Sequence, residues 1–264
     1  MNIYFKQTLQ IKVIIIPILL IILSFSKASA LQTTKATSTA TSTDSNEIIL
    51  TYHQVRDYTK DDSWYAKRFI TTPAVFLKEM DYLSKSGYKV VPLNNLVNHI
   101  KSDLTNDKIA IITFDDGYAS QYQNAFPILQ KYKFTATFYI YTDAISHFPI
   151  AMTWEQLADL QSKGMEIGAH TMSHPTLTKI KDNKTILNEI LGSKKILETK
   201  LNTKITTFAY PYGKYNDRLI KSVMDAGFTN AVSDDHGKEE TKDNLFNMER
   251  FSKNENYGEF VKEF

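Results

Sequence analysis

From Glu47 to the C-terminus the chain alternates short β-branched apolar runs with segments of helical periodicity, and few folds accept that alternation. The candidate strands are "IILTYH" (48–53), "KVV" (89–91), "IAIITF" (109–114), "TATFYI" (135–140), "MEIGA" (165–169), "ITTFA" (205–209), "FTNAVS" (228–233) and "NMERF" (247–251). Between them, "PAVFLKEMDYLSKSG" starts on Pro73 and stops at Gly87, both suited to helix ends. "SQYQNAFPILQKYK" carries Pro127 and so predicts a kink or break. "TWEQLADLQSKG" offers Thr153 as N-cap and Gly164 as its stop. Helices over 183–200 and 216–227 complete the set. Strands alternating with helices argue for a parallel sheet covered by helices. With about seven or eight strands, the expected architecture is α/β, a distorted (β/α) barrel forming a single domain over 47–264.

The residues before Glu47 read differently. Lys6 and Lys12, the apolar run from Val13 to Phe25 and the small residues Ala28–Ala30 have the pattern of a signal peptide over 1–30. The run is shorter than the usual ~20-residue membrane span and contains Pro17, although an uncleaved anchor is the competing reading. Residues 31–46 are Ser/Thr/Ala-rich and read as a flexible linker. The expected localisation is therefore exported: periplasmic, extracellular or at the cell surface, with peripheral association with the cell envelope. The absence of cysteine excludes a disulfide framework or a lipid-modified cysteine. A net charge of +2 gives no reason to expect nucleic acid. The lysines between Lys181 and Lys204 surround Ile186, Ile190 and Leu197 at helical spacing, which makes them the solvated face of an amphipathic helix. No solenoid-length repeat is present, and no further domain is expected after Phe264.

Polar groups fall at the carboxyl ends of the predicted strands. Asp115 and Asp116 follow 109–114, His170 and His174 follow 165–169, Pro211–Gly213 follows 205–209, His53 ends 48–53, and Arg250 lies near the end of 247–251. In a parallel barrel these ends share the face that carries active sites. A turn explains Gly117 in "FDDG", but not two carboxylates at a barrel mouth. Adjacent like charges are costly in a desolvated site unless a cation offsets one and leaves the other free as a base. "HTMSH" can aim two imidazoles at one ion. With a carboxylate they leave coordination positions open, as in catalytic zinc sites. The same set also matches the facial triad of an iron oxygenase. Trp154 reads either as the lining of a sugar subsite or as a core aromatic at a helix start. His99 and His147 read as solvated, and His236 sits in "SDDHG", which reads as a loop.

Three of these motifs, "TFDDG", "HTMSH" and "AYPYG", in this order, resemble the polysaccharide deacetylases of the NodB-homology, or carbohydrate esterase 4, family. The resemblance extends through "TYHQVRD", "NAFPILQKYKFTATFYI" and "MTWEQLADLQSKGMEIGAHTMSHPTL" and covers nearly all of 47–264. "YHQV" and "MERF" resemble the circularly permuted branch that includes poly-β-1,6-N-acetylglucosamine N-deacetylases. The resemblance implies Asp115 as general base and Asp116, His170 and His174 as ligands of a divalent metal, zinc first, with cobalt or nickel as substitutes. It implies the Tyr212 N–H as an oxyanion donor beside the bound sugar, and His53 as general acid, with His236 as the competing acid. The chain departs from many relatives by carrying Ala209 where they have an arginine that orients the aspartate, and Arg250 is the candidate replacement. The expected activity is hydrolysis of N-acetyl groups on an acetylated, N-acetylglucosamine-containing polysaccharide, with the β-1,6-linked polymer leading. The alternatives are a peptidoglycan or chitin-like substrate, an O-acetyl ester, and a non-catalytic glycan-binding protein.

Overall fold

The computed structural model describes residues 47–102, 107–234, 244–252 and Phe260. The predicted signal peptide, the linker and His236 lie outside the described residues. In chain order the strands are β1 (Glu47–Tyr52), β2 (Gln54–Val55), β3 (Ile70–Thr71), β4 (Lys89–Val90), β5 (Ile109–Phe114), β6 (Thr137–Ile140), β7 (Glu166–Ala169), β8 (Thr207–Ala209), β9 (Asn230–Val232) and β10 (Phe251–Ser252). The helices are α1 (Trp64–Lys67), α2 (Pro73–Lys85), α3 (Leu93–Ser102), α4 (Phe126–Tyr132), α5 (Trp154–Ser162), α6 (Asn183–Leu201) and α7 (Asp217–Asp225).

Local chemistry sets most helix ends. The Thr72 hydroxyl accepts the Val75 N–H before α2, with Pro73 in the first turn. Thr153 and Gln156 form a reciprocal capping box at α5. Pro127 lacks the N–H that an α-helical interior needs. The chain meets that constraint with a π-helical turn, Gln121–Ala125, ahead of α4.

The main sheet runs β10-β1-β5-β6-β7-β8-β9, with β4 on the start of β5, and every pairing within it is parallel. β1 and β5 form its longest ladder, from Glu47 opposite Ile109 to Tyr52 opposite Phe114. β5 is buried throughout, as expected of a parallel strand covered on both faces. Its side chains alternate between two cores. Ala110, Ile112 and Phe114 join Phe76, Leu129, Leu157, Ile190 and Val223 beneath the helices. Ile109 and Ile111 join Ile49, Tyr139, Ala209, Val232 and Met248, with Leu93, Leu96 and Val97 of α3 packed among them. One inner cluster can collect side chains from β1, β5, β6, β8 and β9 only if the sheet is curled around it.

The expected strand over 247–251 is not formed as such. Met248 donates its N–H to Ala231 and accepts the Ser233 N–H, while Phe251 and Ser252 pair with Leu50 and Thr51 of β1. Residues 248–252 thus cross from one edge of the sheet to the other and close it. Neither partner runs beside this segment for long enough to give strand periodicity, and the result is the distorted barrel predicted. α1, α3 and the two-stranded β2–β3 sheet were not anticipated; each is too short or too irregular in pattern to be read from periodicity.

The curled interior leaves no spare room at Gly168 of β7. A Cβ there would meet Tyr139 ring carbons at 2.5 Å and Thr207 Cγ2 at 2.9 Å. The Tyr139 ring is fully buried and its hydroxyl is hydrogen-bonded to Thr207 Oγ1 at 2.7 Å, so it cannot swing away cheaply. Gly168→Ala is expected to lower stability by about 1–3 kcal/mol through overpacking, read as a lower urea midpoint.

Candidate active site

The site grows from the carboxyl ends of β1 and β5. The Asp115 N–H continues the ladder to the Tyr52 carbonyl at 2.9 Å. The buried Gln121 amide then donates to the carbonyls of His53 (2.8 Å) and Asp115 (2.5 Å), tying the two strand ends together. Asp116 and Gly117 follow with φ of 73° each. This left-handed pair is tolerable for Asp and natural for Gly. A Cβ on Gly117 would also press on Ile145 at 3.1 Å and Ile140 at 3.2 Å. The turn sends the two neighbouring carboxylates to different partners.

Asp115 meets Arg250. The guanidinium is completely buried and uses all five N–H donors: Nε to the Ser233 carbonyl (3.1 Å), Nη1 to Thr113 Oγ1 (3.2 Å) and Asp115 Oδ1 (2.8 Å), Nη2 to Asp115 Oδ2 (2.7 Å) and Asp234 Oδ1 (2.7 Å). It also lies over the Tyr139 ring, 5.5 Å from its centroid. Burial alone would push the Asp115 pKa up, but the Arg250 charge outweighs it and holds the carboxyl well below its usual range.

Asp116 meets the histidines. His170 Nδ1 lies 2.8 Å from the Ala209 carbonyl. A carbonyl only accepts, so the proton sits on Nδ1 and the Nε2 lone pair is free. His174 Nε2 is 3.1 Å from His170 Nε2, and Asp116 Oδ1 is 3.4 Å from the former and 3.8 Å from the latter. That Asp116 oxygen is buried with no hydrogen-bond partner. Burial holds both imidazole pKa values down and pushes that of Asp116 up. Two imidazoles that burial holds toward the neutral form and an unsatisfied carboxylate oxygen, with ligand atoms all within 4.8 Å of one another, fit a divalent metal with coordination positions left open. The hydrogen bond from His170 Nδ1 to a backbone carbonyl is the orienting support common to metal-bound histidines.

These groups line a cavity of about 660 Å³. His53, Asp115, Asp116, His170, His174 and Tyr212 all face it, and Arg250 lies buried behind Asp115. His53 is half-buried, with its ring edge-on to Phe69 at 5.0 Å. Tyr212 has φ 60° and ψ 18°, and its half-exposed ring lies 4.7 Å from that of His174. Of the two readings of Trp154, the packing fits the core aromatic: it is not among the residues that line the cavity and packs on the outer core at the start of α5, with Lys200 Nζ 5.7 Å from its ring. His147 is exposed in a loop, and the side chain of His99 lies outside the described residues. Sequence reasoning missed Asp234, which sits in the "SDDHG" loop, and the cavity aromatics Tyr65, Phe69, Tyr118 and Tyr141. For Tyr118 a signal existed, since it directly follows the "FDDG" turn.

Known proteins resemble this chain in sequence and in fold. A family model described as polysaccharide deacetylase matches residues 102–231. YxkH of Bacillus subtilis (strain 168), named for the polysaccharide deacetylases, is 28% identical over 176 residues, covering 66% of this chain and 62% of its own length, somewhat less than two thirds. A poly-beta-1,6-N-acetyl-D-glucosamine N-deacetylase of Staphylococcus aureus (strain MRSA252) is 26% identical over 204 residues, 70% of each chain. Among solved structures, Streptococcus pyogenes deacetylase PplD in complex with acetate has a TM-score of 0.73 at 23% identity, covering 81% of this chain and 96% of that one. IcaB from Ammonifex degensii has a TM-score of 0.71 at 21% identity, covering 82% and 95%. The two structures establish the fold.

The buried pair makes a prediction. A carboxyl held below its ordinary value of 3.8 contributes stability that is present above about pH 4 and is lost as the pH falls toward the folded value. Arg250→Met leaves Asp115 buried without its cation, and the expected cost at neutral pH is about 3–5 kcal/mol. Urea denaturation from pH 7 to pH 2 should show this variant lacking the part of the parent's acid destabilisation that the pair supplies.

Proposed function

The chain carries a polysaccharide deacetylase domain, and we propose that it is a metal-dependent N-deacetylase acting on an N-acetylglucosamine polymer, with the β-1,6-linked polymer as substrate. One observation carries the reading: Asp116, His170 and His174 converge on an unsatisfied buried oxygen, while the adjacent Asp115 is kept ionised by Arg250 in the same cavity. The Staphylococcus aureus relative supports the choice of polymer.

A divalent metal held by Asp116, His170 and His174, zinc first and cobalt or nickel as substitutes, would supply Lewis acidity to the carbonyl and to the attacking water. Asp115 accepts a proton from that water as general base, its carboxylate fixed in direction by the two Arg250 hydrogen bonds. The Tyr212 N–H donates to the oxygen on which charge develops, from a backbone already set in the left-handed conformation. His53 gives its proton to the departing nitrogen, which would otherwise leave as a strongly basic amide ion. The carbon–nitrogen bond breaks to give acetate and a glucosamine unit. Each turnover converts a neutral acetamide into an amine that is cationic near neutral pH, altering how the polymer adheres to anionic surfaces. The signal-like pattern of residues 1–30 supports an exported protein working at the cell envelope, and the biofilm polymer is its natural target there.

The test is acetate release from β-1,6-linked N-acetylglucosamine oligomers by the purified chain with added zinc. Release is expected from the parent, abolished by a chelator and restored by zinc, and reduced about 100- to 10,000-fold in Asp115→Asn. Release from peptidoglycan or O-acetylated glycan alone would remove the substrate assignment, and chelator-resistant release would remove the metal.

A further inference from the structure

The loop that carries both histidines is strained and is held from outside. Between His170 and His174 the chain turns through Thr171 at φ 70°, and His174 itself has φ 59°. The left-handed region costs on the order of 1–2 kcal/mol for a residue with a Cβ. The conformation persists only if the surroundings impose it. From one side, the N–H groups of Thr142 and Asp143 donate to the carbonyls of Thr171 (3.2 Å) and Met172 (2.9 Å). Within the loop, Thr171 Oγ1 accepts the His174 N–H at 3.0 Å.

From the other side comes a single carboxylate on α6. Glu189 Oε2 accepts the N–H groups of both Met172 and Ser173 at 3.0 Å each, and its Oε1 accepts the Ser173 hydroxyl at 2.7 Å. Two successive backbone N–H groups next to a left-handed residue form an anion-binding concavity, and here a side chain of the same protein fills it. The next residue on that side of α6 is Gly192, and a Cβ there would collide with Met172 Sδ. A mid-helix glycine is worth about 1 kcal/mol less than alanine. Its use here lets α6 approach the loop closely enough for Glu189 to reach all three donors.

We propose that Glu189 is a positioning residue for the metal site: it fixes the backbone between His170 and His174 and thereby sets the separation of their Nε2 atoms. It is not among the residues that line the cavity, and it acts through the two amides that lie between the histidines. This inference rests on the metal reading of Asp116, His170 and His174. Outer groups that orient metal ligands typically change affinity by about 10- to 100-fold when removed.

The experiment is zinc affinity of the full chain, measured by competition with a chromophoric chelator, alongside thermal unfolding of the metal-free protein. The visible spectrum of the cobalt-loaded protein serves as a second readout of ligand geometry. Glu189→Ala is expected to bind zinc about 10- to 100-fold more weakly and to show a shifted cobalt spectrum. Glu189→Gln, which keeps one carbonyl oxygen for the two amides, should recover part of the affinity. If Glu189→Ala does not fold, Glu189→Asp takes its place: one methylene shorter, it cannot reach all three donors, and the same direction of change is expected. Parent-like zinc affinity and cobalt spectrum in a folded Ala or Asp variant overturn the inference. A parent chain that binds no zinc overturns the metal reading instead, so the two failures are distinguishable.

Discussion

Arg250 is the charge around which the site is assembled. A fully buried guanidinium is tolerable only when its charge is compensated and every donor is used. This one meets both conditions by drawing on Thr113 and Asp115 at the end of β5 and on Ser233 and Asp234 after β9. Its own segment, 248–252, is the one that joins the two edges of the sheet. Closing the barrel and charging the site are therefore one event. The Asp115 carboxylate is fixed in direction and ionisation by the residue that seals the fold.

Backbone strain follows the same logic. Asp116, Thr171, His174 and Tyr212 all lie in the left-handed region, and all belong to the cavity or to the loop that serves it. Lys133 and Asn202 share that conformation at helix ends, where it is an ordinary terminator. Three of these four are held from outside: Gln121 clamps the strand ends before Asp116, and Glu189 with the Thr142 and Asp143 amides grips the loop of Thr171 and His174. The site is rigid because hydrogen bonds from several elements hold shapes that the local chain would not choose.

Much of the fold was legible because its signals are local. The run "IAIITF", the Thr72 and Thr153 caps and the helical stripe of Ile186, Ile190 and Leu197 each depend on neighbours within a few residues. The placement of Asp115, Asp116, His170 and His174 was legible one step further on, since a parallel barrel gathers strand carboxyl ends on one face. What escaped depends on contacts distant in sequence. The segment 247–251 looked like a strand, but it pairs piecewise with two others. Trp154 could have faced the cavity or the core, and only the packing of α5 decides. Asp234 resembles loop composition until Arg250 is seen to need a second anion. Tyr65 and Phe69 enter from the segment between β2 and β3, two-residue strands that carry no periodicity.

The position of the closing segment also bears on how the protein comes into being. Arg250 and Asp115 are separated by 135 residues, so their pair cannot form until the whole span between them has been made. A nascent chain therefore has β5 and both histidines in hand well before it has the cation that sets Asp115. Until 248–252 docks, the aspartate lies in an unclosed sheet without its partner. Competence waits on that segment, so a chain without it carries the motifs of the site without its working electrostatics.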